Sequence, residues 1–195
     1  KKLSKINEIA SLDNKHFLFC YAGVLEHRKG INILLKIINK LKQNNYNFIF
    51  SFFGDGILRL YIKKYILDNN LSNSVKLFGN LNQLKLHEEM GKNQLLLFPS
   101  LRDSGGLILL EAMSIGLPSA ILNLAGPSEI ITNDCGIVID VLNKNEDEIV
   151  DEFYIEIEKL IIDKKRLTKM SQNCLLRIKN FSLNNKINKI YNFDL

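Results

Sequence analysis

The sequence predicts an α/β protein, an open parallel sheet with helices on both faces. Short apolar runs alternate with longer amphipathic runs along most of the chain, which is typical of strand–helix–strand units. The chain has 195 residues, enough to bury a core of its own without disulfides or metals. We therefore expect a single domain, residues 1–195, with no linker or repeat inside it.

Six short apolar runs are the predicted strands. They occupy residues 16–21, 46–53, 75–78, 95–98, 119–122 and 137–139. Longer runs predict helices at residues 30–41, 57–69 and 83–90, another from Leu107, and a helical tail over about residues 145–195 that ends near Tyr191. In an open sheet, ligands bind beyond the carboxyl ends of the strands, so the loops that follow the strands are the candidate site.

The charge balance and the cysteines limit the class of protein. A net charge of +5 favours anionic partners such as nucleotide phosphates, anionic lipid or nucleic acid. The lysines lie among Asn and Ile residues rather than aromatic ones, so solvated surface is the simpler explanation. Cys20, Cys135 and Cys174 are odd in number and lack metal-ligand spacing, which favours reduced thiols in the cytoplasm.

The segment 99–118 carries polar residues that a plain core segment would not. Asp103 and Ser104 follow a buried strand, and Gly105 and Gly106 then lead into an apolar helix. Because the two glycines leave the helix N-terminus bare of side chains, its backbone N–H groups can bind an anion or a hydroxyl at close range. The alternative is structural: Asp103 or Ser104 caps the helix.

Glu111 interrupts this helix, whose other interior residues are apolar and predict packing on every side. A buried carboxylate is costly unless a partner bonds to it. Glu111 follows Ser104 by seven residues, roughly 10 Å along the axis at about 1.5 Å per residue. That length suits a ribose whose diphosphate reaches the helix N-terminus, and a carboxylate can accept both ribose hydroxyls. The alternative partner is a buried Arg or Lys.

The loop after the first strand ends in two cations, Arg28 and Lys29, at the start of the next predicted helix. The positive end of a helix dipole disfavours a cation there unless an anion lies between them. Lys29 is therefore the candidate phosphate contact, and the alternative is two solvated bases on a loop. The histidines His16, His27 and His87 are separated, and none has a metal-ligand or catalytic-triad neighbour in the sequence.

The acidic pair resembles the signature of family 4 (group 1) glycosyltransferases, which are retaining enzymes with the GT-B fold and nucleotide-sugar donors. Asp103 and Glu111 have seven residues between them, as the two acids of that family do. The family's first acid is usually Glu, so Asp103 is a shorter variant, whereas Glu111 matches unchanged. The residues that follow also agree with the family: Ala112, Met113, Gly116, Leu117 and Pro118.

The first loop is similar to the family's Gly-Arg-x4-Lys-Gly motif, whose two bases bind the donor diphosphate. Gly23, Lys29 and Gly30 match this motif, and Val24 stands at the arginine position. Either Arg28 replaces the missing base or the diphosphate is bound more weakly.

Other loops agree with the family in order and spacing. Residues 54–56 are similar to its Gly-Asp-Gly, although a tight turn explains them as well. Gly79 matches the family's Phe-Gly, near which the base of the nucleotide is held. Residues 123–129 are similar to its Gly-Gly-x-x-Glu turn, where a first-turn helix acid explains Glu129 equally well. Residues 181–183 look like the family's Phe-Ser-Trp.

The resemblance covers residues 19–139 and implies that the chain is the C-terminal, donor-binding, Rossmann-like half of a GT-B enzyme. Its catalytic residues would be Lys29, which stabilises the leaving diphosphate, Asp103, which positions the sugar, and Glu111, which binds the ribose. The substrate-binding positions that it implies are Gly23, Arg28, Gly79, Ser104, Gly105, Gly106 and Leu107.

The resemblance also implies the reaction of a full enzyme, which transfers a sugar with retention to a hydroxyl acceptor in polysaccharide, glycolipid or glycoprotein glycan synthesis. The acceptor, a glycan or a lipid-linked glycan, would bind the family's N-terminal half, so the chain alone would be inactive. No Asp-x-Asp motif suits a metal-bound diphosphate, so we expect no metal and no cofactor. We also expect a cytoplasmic protein, with peripheral association at the inner face of the membrane, and no nucleic-acid partner.

Two other functions stay open at the level of sequence. A sugar-nucleotide epimerase has the same architecture, but it needs carboxylates and a His that the sequence does not locate. A non-catalytic nucleotide- or nucleic-acid-binding module is motivated by the net charge of +5 and by Val24. Steeply salt-dependent binding to oligonucleotides would identify such a module.

Overall fold

The computed structural model describes residues 15–103, 105–124 and 126–181. Its centre is a six-stranded sheet in which neighbouring strands pair in parallel. The strands are β1 Phe17–Ala22, β2 Phe48–Phe53, β3 Val75–Gly79, β4 Leu95–Phe98, β5 Ser119–Leu122 and β6 Gly136–Ile139. Their order is β3-β2-β1-β4-β5-β6. The predicted strands are confirmed, with ends that differ by one or two residues.

The helices are α1 Ile31–Gln43, α2 Arg59–Asp68, α3 Gln83–Met90, α4 Leu107–Ser114, α5 Pro127–Ile130, α6 Glu146–Ile162 and α7 Lys164–Arg177, with 3-10 turns at His27–Lys29 and Ile178–Phe181. The sequence predicts uninterrupted helix after Glu146, whereas Asp163 separates α6 from α7. The Asp163 side chain accepts from the backbone N–H of Arg166 and so caps α7. The predicted helix beyond Phe181 lies outside the described residues.

Strands β1 and β2 are both interior strands of the sheet, and nearly all of their side chains are apolar on both faces. They pair in register over all six residues. The ring of Phe50 lies 6.4 Å from that of Phe19 and 4.7 Å from that of Phe52, centroid to centroid. Strands covered on both faces need continuous apolar runs rather than alternating ones. This requirement explains why the strand pattern is so clear in the sequence.

Helices cover both faces of the sheet. Crossovers between parallel strands are right-handed, and the sheet grows from β1 towards β3 on one side and from β4 towards β6 on the other. The helices of the two halves therefore lie on opposite faces. At the end of the described chain, α6 packs against α1 and α7 packs against α4. None of the helices in the described ranges is long and apolar enough to cross a membrane.

Glycines allow neighbouring loops to touch at the carboxyl edge of the sheet. Gly30, just before α1, has φ +71°, and a Cβ there would lie 1.9 Å from the carbonyl oxygen of Pro99, the residue after β4. Gly54, after β2, has φ +127°, and a Cβ there would lie 2.0 Å from the carbonyl oxygen of Gly23. Such contacts admit glycine alone. The loop after β1 is therefore in direct contact with the loops after β2 and β4.

Gly30→Ala is expected to lower the free energy of unfolding by more than about 2 kcal/mol, since it adds a left-handed backbone penalty to a backbone clash. Gly105→Ala is the matched control, because a Cβ there meets Leu107 Cγ at an ordinary 4.0 Å. Urea unfolding of both variants and the parent chain measures the difference. Equal stability of the two variants would show that the contact between Gly30 and Pro99 does not constrain the fold.

Candidate functional site

The sheet reverses its direction of growth between β1 and β4, and ligands of open α/β sheets bind at such a crevice. Two loops meet there, residues 23–30 after β1 and residues 99–103 after β4. The N–H of Leu101 donates to the carbonyl oxygen of Arg28 at 3.0 Å. Ser100 Oγ donates to the same oxygen at 3.4 Å. These bonds bring the predicted basic loop and the predicted acidic loop side by side.

Lys29 and Asp103, both predicted site residues, form an ion pair across this crevice. Their side chains are only 12% and 13% exposed, and the Lys29 ammonium lies 5.7 Å from the centroid of the Phe98 ring. A charge that is largely removed from water needs a partner of opposite sign. Because 74 residues separate the pair in sequence, no local pattern predicts the contact.

Asp103 also organises the loop in front of α4. Its Oδ1 accepts hydrogen bonds from the backbone N–H groups of Gly105, at 3.0 Å, and Gly106, at 2.8 Å. Burial raises the pKa of Asp103, but the Lys29 ammonium and the two glycine N–H groups outweigh it, so the pKa lies below its ordinary value. Asp103 is therefore a carboxylate at neutral pH. The amides expected to bind the sugar donate to Asp103 in this structure.

Helix α4 begins at Leu107, directly after Gly106 in a left-handed conformation with φ +53°. The buried residues of α4 are Leu109, Ala112 and Met113, which share one side, whereas Leu107 is 71% exposed. The prediction that α4 is packed on every side is therefore wrong. Because α4 starts at the carboxyl edge, its first turn has less of the sheet to pack against.

Glu111 is only half-buried, with 31% of its side chain exposed. It follows Leu107 by four residues, about 6 Å along the axis, which is shorter than the length expected from Ser104. Ser104 itself lies outside the described residues. Among the described residues, the partner of the Glu111 carboxylate is neither Arg nor Lys: its Oε2 lies 3.3 Å from Nε2 of His87, on α3. The sequence offers no signal for this contact between helices.

The two cations of the basic loop have different surroundings. Arg28 is 52% exposed, and its Nε donates to a carboxylate oxygen of Glu26 at 2.7 Å, whereas Lys29 bonds to the acidic loop. Val24 is exposed on the same loop. The N–H of Gly23 donates to the last carbonyl of β2 at 3.0 Å. Of these two cations, Lys29 is therefore the one that the structure joins to Asp103.

The turn after β2 explains Asp55 without a ligand. Its Oδ1 accepts from the N–H of Gly56 at 2.8 Å, and its Oδ2 accepts from Arg59 at 3.1 Å. The N–H of Gly54 donates to the carbonyl oxygen of Gly79 at 2.8 Å, so the two loops touch. A Cβ at Gly79 would lie 3.3 Å from Arg59 Nη1. A guanidinium therefore lies beside the position predicted to hold the base of the nucleotide. Arg59 is not predicted as a site residue from the sequence.

The loop after β5 carries the last predicted motif. Glu129 is exposed in the first turn of α5, as the helix-acid alternative predicts. Ala125 lies outside the described residues. In the described parts of the chain, no group of three or more His, Cys, Asp and Glu side chains is placed to hold a metal ion. The metal-free site stays a prediction.

The chain matches a known protein family over most of its length. The family model described as "Glycosyl transferases group 1" matches residues 4–176. This chain belongs to that family. Among similar proteins, the UDP-Gal:alpha-D-GlcNAc-diphosphoundecaprenol alpha-1,3-galactosyltransferase of Escherichia coli is 28% identical over 187 residues, covering 94% of the chain and 46% of the relative. The amylovoran biosynthesis glycosyltransferase AmsK of Erwinia amylovora is 29% identical, covering 56% of the chain and 28% of the relative. The chain thus spans less than half the length of these relatives.

Solved structures confirm the predicted fold class of this group 1 glycosyltransferase chain. The pneumococcal O-GlcNAc transferase GtfA, in complex with UDP and GlcNAc, matches with a TM-score of 0.79 and 21% identity, over 92% of this chain and 35% of that chain. The C-terminal domain of LpcC, a group 1 family protein from Francisella tularensis, matches with a TM-score of 0.74 and 14% identity, over 94% of each chain. At identities this low, the structural likeness shows a shared Rossmann-like fold and nothing further.

Asp103→Asn keeps an oxygen for the loop amides and removes the charge that pairs with Lys29. We expect the free energy of unfolding at neutral pH to fall by about 2 kcal/mol. Because the folded-state pKa of Asp103 is depressed, its stabilising effect is complete above an unfolded-state pKa of about 4 and is lost as the pH falls through the folded-state value.

Urea unfolding at several pH values measures this effect. The stability gap between the parent chain and Asp103→Asn is expected to shrink below about pH 4. Asp68→Asn, at an exposed position at the end of α2, is the matched control and should show little gap at any pH. A gap for Asp103→Asn that stayed constant down to about pH 3 would contradict the ion pair.

Proposed function

We propose that this chain is the donor-binding half of a retaining glycosyltransferase and binds a nucleoside diphosphate sugar at the crevice between β1 and β4. The observation that carries the proposal is the ion pair between Lys29 and Asp103 beside the start of α4, with Glu111 further along the same helix. A cation, a helix N-terminus and a carboxylate then lie in the order in which a donor presents its diphosphate and ribose. Likeness to proteins whose structures contain UDP supports this nucleotide class.

Lys29 would bind the diphosphate. Its ammonium has three N–H donors, so it can keep Asp103 as a partner while it donates to a phosphate oxygen. Because its side chain is largely buried, water screens its charge weakly. The leaving diphosphate gains charge in the transition state, so a cation fixed beside it would stabilise that state more than the bound donor.

Asp103 would position the transferred sugar, and Glu111 would bind the ribose. Although Asp103 already bonds to Lys29 and to the N–H groups of Gly105 and Gly106, its oxygens keep further lone pairs for sugar hydroxyls. Glu111 is half-exposed, so a ribose can reach both of its oxygens. The other proposed substrate contacts are Gly23, Arg28, Gly79, Ser104 and Leu107.

The acceptor would bind a second, N-terminal half of the protein. The chain spans less than half the length of its relatives, which is the basis for this division. The relative from Escherichia coli is named for an acceptor linked to diphosphoundecaprenol, which favours a lipid-linked glycan here. The chain alone would then bind the donor, without a metal, and transfer no sugar. We place the full enzyme in the cytoplasm, at the inner face of the membrane.

Calorimetric titration with UDP, GDP, ADP and their sugar conjugates, with and without magnesium, tests the donor site. We expect one nucleotide to be preferred, with the same affinity in both conditions. Lys29→Ala is expected to weaken the binding of the nucleoside diphosphate about tenfold and to leave the affinity for the nucleoside unchanged, because phosphate is the part of the nucleotide that the ammonium would contact. Glu111→Ala is expected to weaken the binding of the nucleoside diphosphate and of the nucleoside, because both contain the ribose.

Lys42→Ala is the matched control for Lys29→Ala. Lys42 is exposed in the last turn of α1, which places it at the opposite edge of the sheet from the crevice. If Lys29→Ala and Lys42→Ala bound the diphosphate equally well, the role of Lys29 would be wrong. Steeply salt-dependent binding to oligonucleotides would instead favour the nucleic-acid-binding alternative.

Val24→Arg tests whether the site lacks a second base. Val24 is 44% exposed and Arg28 already pairs with Glu26, so an arginine at position 24 has room and adds a cation. We expect about fivefold tighter binding of UDP and no change for uridine. Arg28→Ala is the companion variant: a large loss of UDP affinity there, with no gain from Val24→Arg, would show that Arg28 fills the role already.

A further inference from the structure

His87 reaches Glu111 from a second helix. Its Nε2 lies 3.3 Å from Oε2 of Glu111, and the two side chains are about equally exposed, at 33% and 31%. Helix α3, which carries His87, packs against α4 and is anchored by the buried side chain of Met90. The contact therefore joins two packed helices beside the proposed donor site.

We propose that His87 is a positioning residue for the nucleotide ribose: its imidazole N–H holds the Glu111 carboxylate in the orientation that accepts the ribose hydroxyls. The inference rests on the proposed function, because it assigns a partner to Glu111, which the proposed function makes the ribose-binding carboxylate of the donor site. His87 acts through Glu111, and its effect on binding is therefore specific to the hydroxyls that Glu111 accepts.

A carboxylate held in this way keeps its capacity for the ribose. Nε2 of an imidazole carries at most one N–H, so it occupies one lone pair of Oε2 and leaves Oε1 and the other lone pair for two hydroxyls. An arginine or a lysine presents several donors and would compete with the ribose for the same oxygens. A single N–H is thus a donor that orients Glu111 without covering it.

The charged neighbours of His87 on α3 are engaged with one another. Lys85 on α3 and Lys92, two residues beyond its end, both bond to Glu88 and Glu89. Within the described part of the chain, His87 is the α3 side chain that hydrogen-bonds to α4. A glutamate without such a partner would have to be ordered when the nucleotide binds, which weakens binding. The contact with His87 removes part of that cost beforehand.

Calorimetric titration of the 195-residue chain with UDP and with 2′,3′-dideoxy-UDP isolates the part of binding that depends on the hydroxyls. In the parent chain we expect UDP to bind about tenfold more tightly than its dideoxy analogue. In His87→Ala we expect this ratio to fall to about twofold, through loss of UDP affinity alone. If the chain prefers GDP or ADP, that nucleotide and its 2′,3′-dideoxy analogue replace the two UDP probes.

Three further variants separate positioning from packing. His87→Gln carries an amide N–H that can replace the imidazole donor, and we expect it to restore most of the ratio. His87→Phe keeps the ring volume without the donor and should behave as His87→Ala does. Lys85→Ala, on the same helix but bonded within it, is the matched control and should leave the ratio unchanged.

Each outcome decides the inference. Equal weakening of both nucleotides in His87→Ala and His87→Phe, or no weakening, overturns it, since a merely structural role does not distinguish the hydroxyls. If the parent chain binds UDP and dideoxy-UDP equally well, the ribose role of Glu111 fails, and the inference fails with it. If the parent chain binds none of UDP, GDP and ADP, the proposed function itself fails.

Discussion

The close approach of two backbones at the carboxyl edge is the constraint on which the site depends. Gly30 lets α1 begin against the carbonyl oxygen of Pro99, where a Cβ would lie only 1.9 Å from that oxygen. Lys29 directly precedes Gly30, so it reaches Asp103 only when the loops after β1 and β4 touch. The conformational freedom of one residue therefore decides whether two charged side chains meet.

The ion pair itself contributes more order than stability. The cost of removing two charges from water can equal or exceed their mutual attraction, although losing one partner alone is destabilising because it leaves the other charge buried and unpaired. Asp103, however, also accepts from the N–H groups of Gly105 and Gly106, so it fixes the path of the chain into α4. It thereby holds the Lys29 ammonium near the start of that helix, where a bound anion also meets the positive end of the helix dipole.

The strands and the chemical types of the site residues are predictable from the sequence because their determinants are local. Continuous apolar runs mark strands buried on both faces. Charged residues in the loops after such runs point to Lys29 and Asp103, and a carboxylate inside an apolar helix points to Glu111. Their partners are not predictable in this way. His87 lies 24 residues before Glu111, and the packing of two helices alone brings them together. The exposure of Leu107 likewise depends on where α4 begins relative to the sheet edge, which its apolar composition does not encode.

Burial, rather than the number of bases, distinguishes the proposed anion site from the rest of the surface. The net charge of +5 is a small excess of bases over acids, and lysines such as Lys36 and Lys92 keep about half of their side chains in solvent and are already paired with acids. Surface pairs of this kind are screened by salt and contribute little to binding. Lys29 is largely buried against Asp103 and the Phe98 ring, where its charge is screened less. One lysine in that setting can recognise a diphosphate that the scattered surface bases would not select.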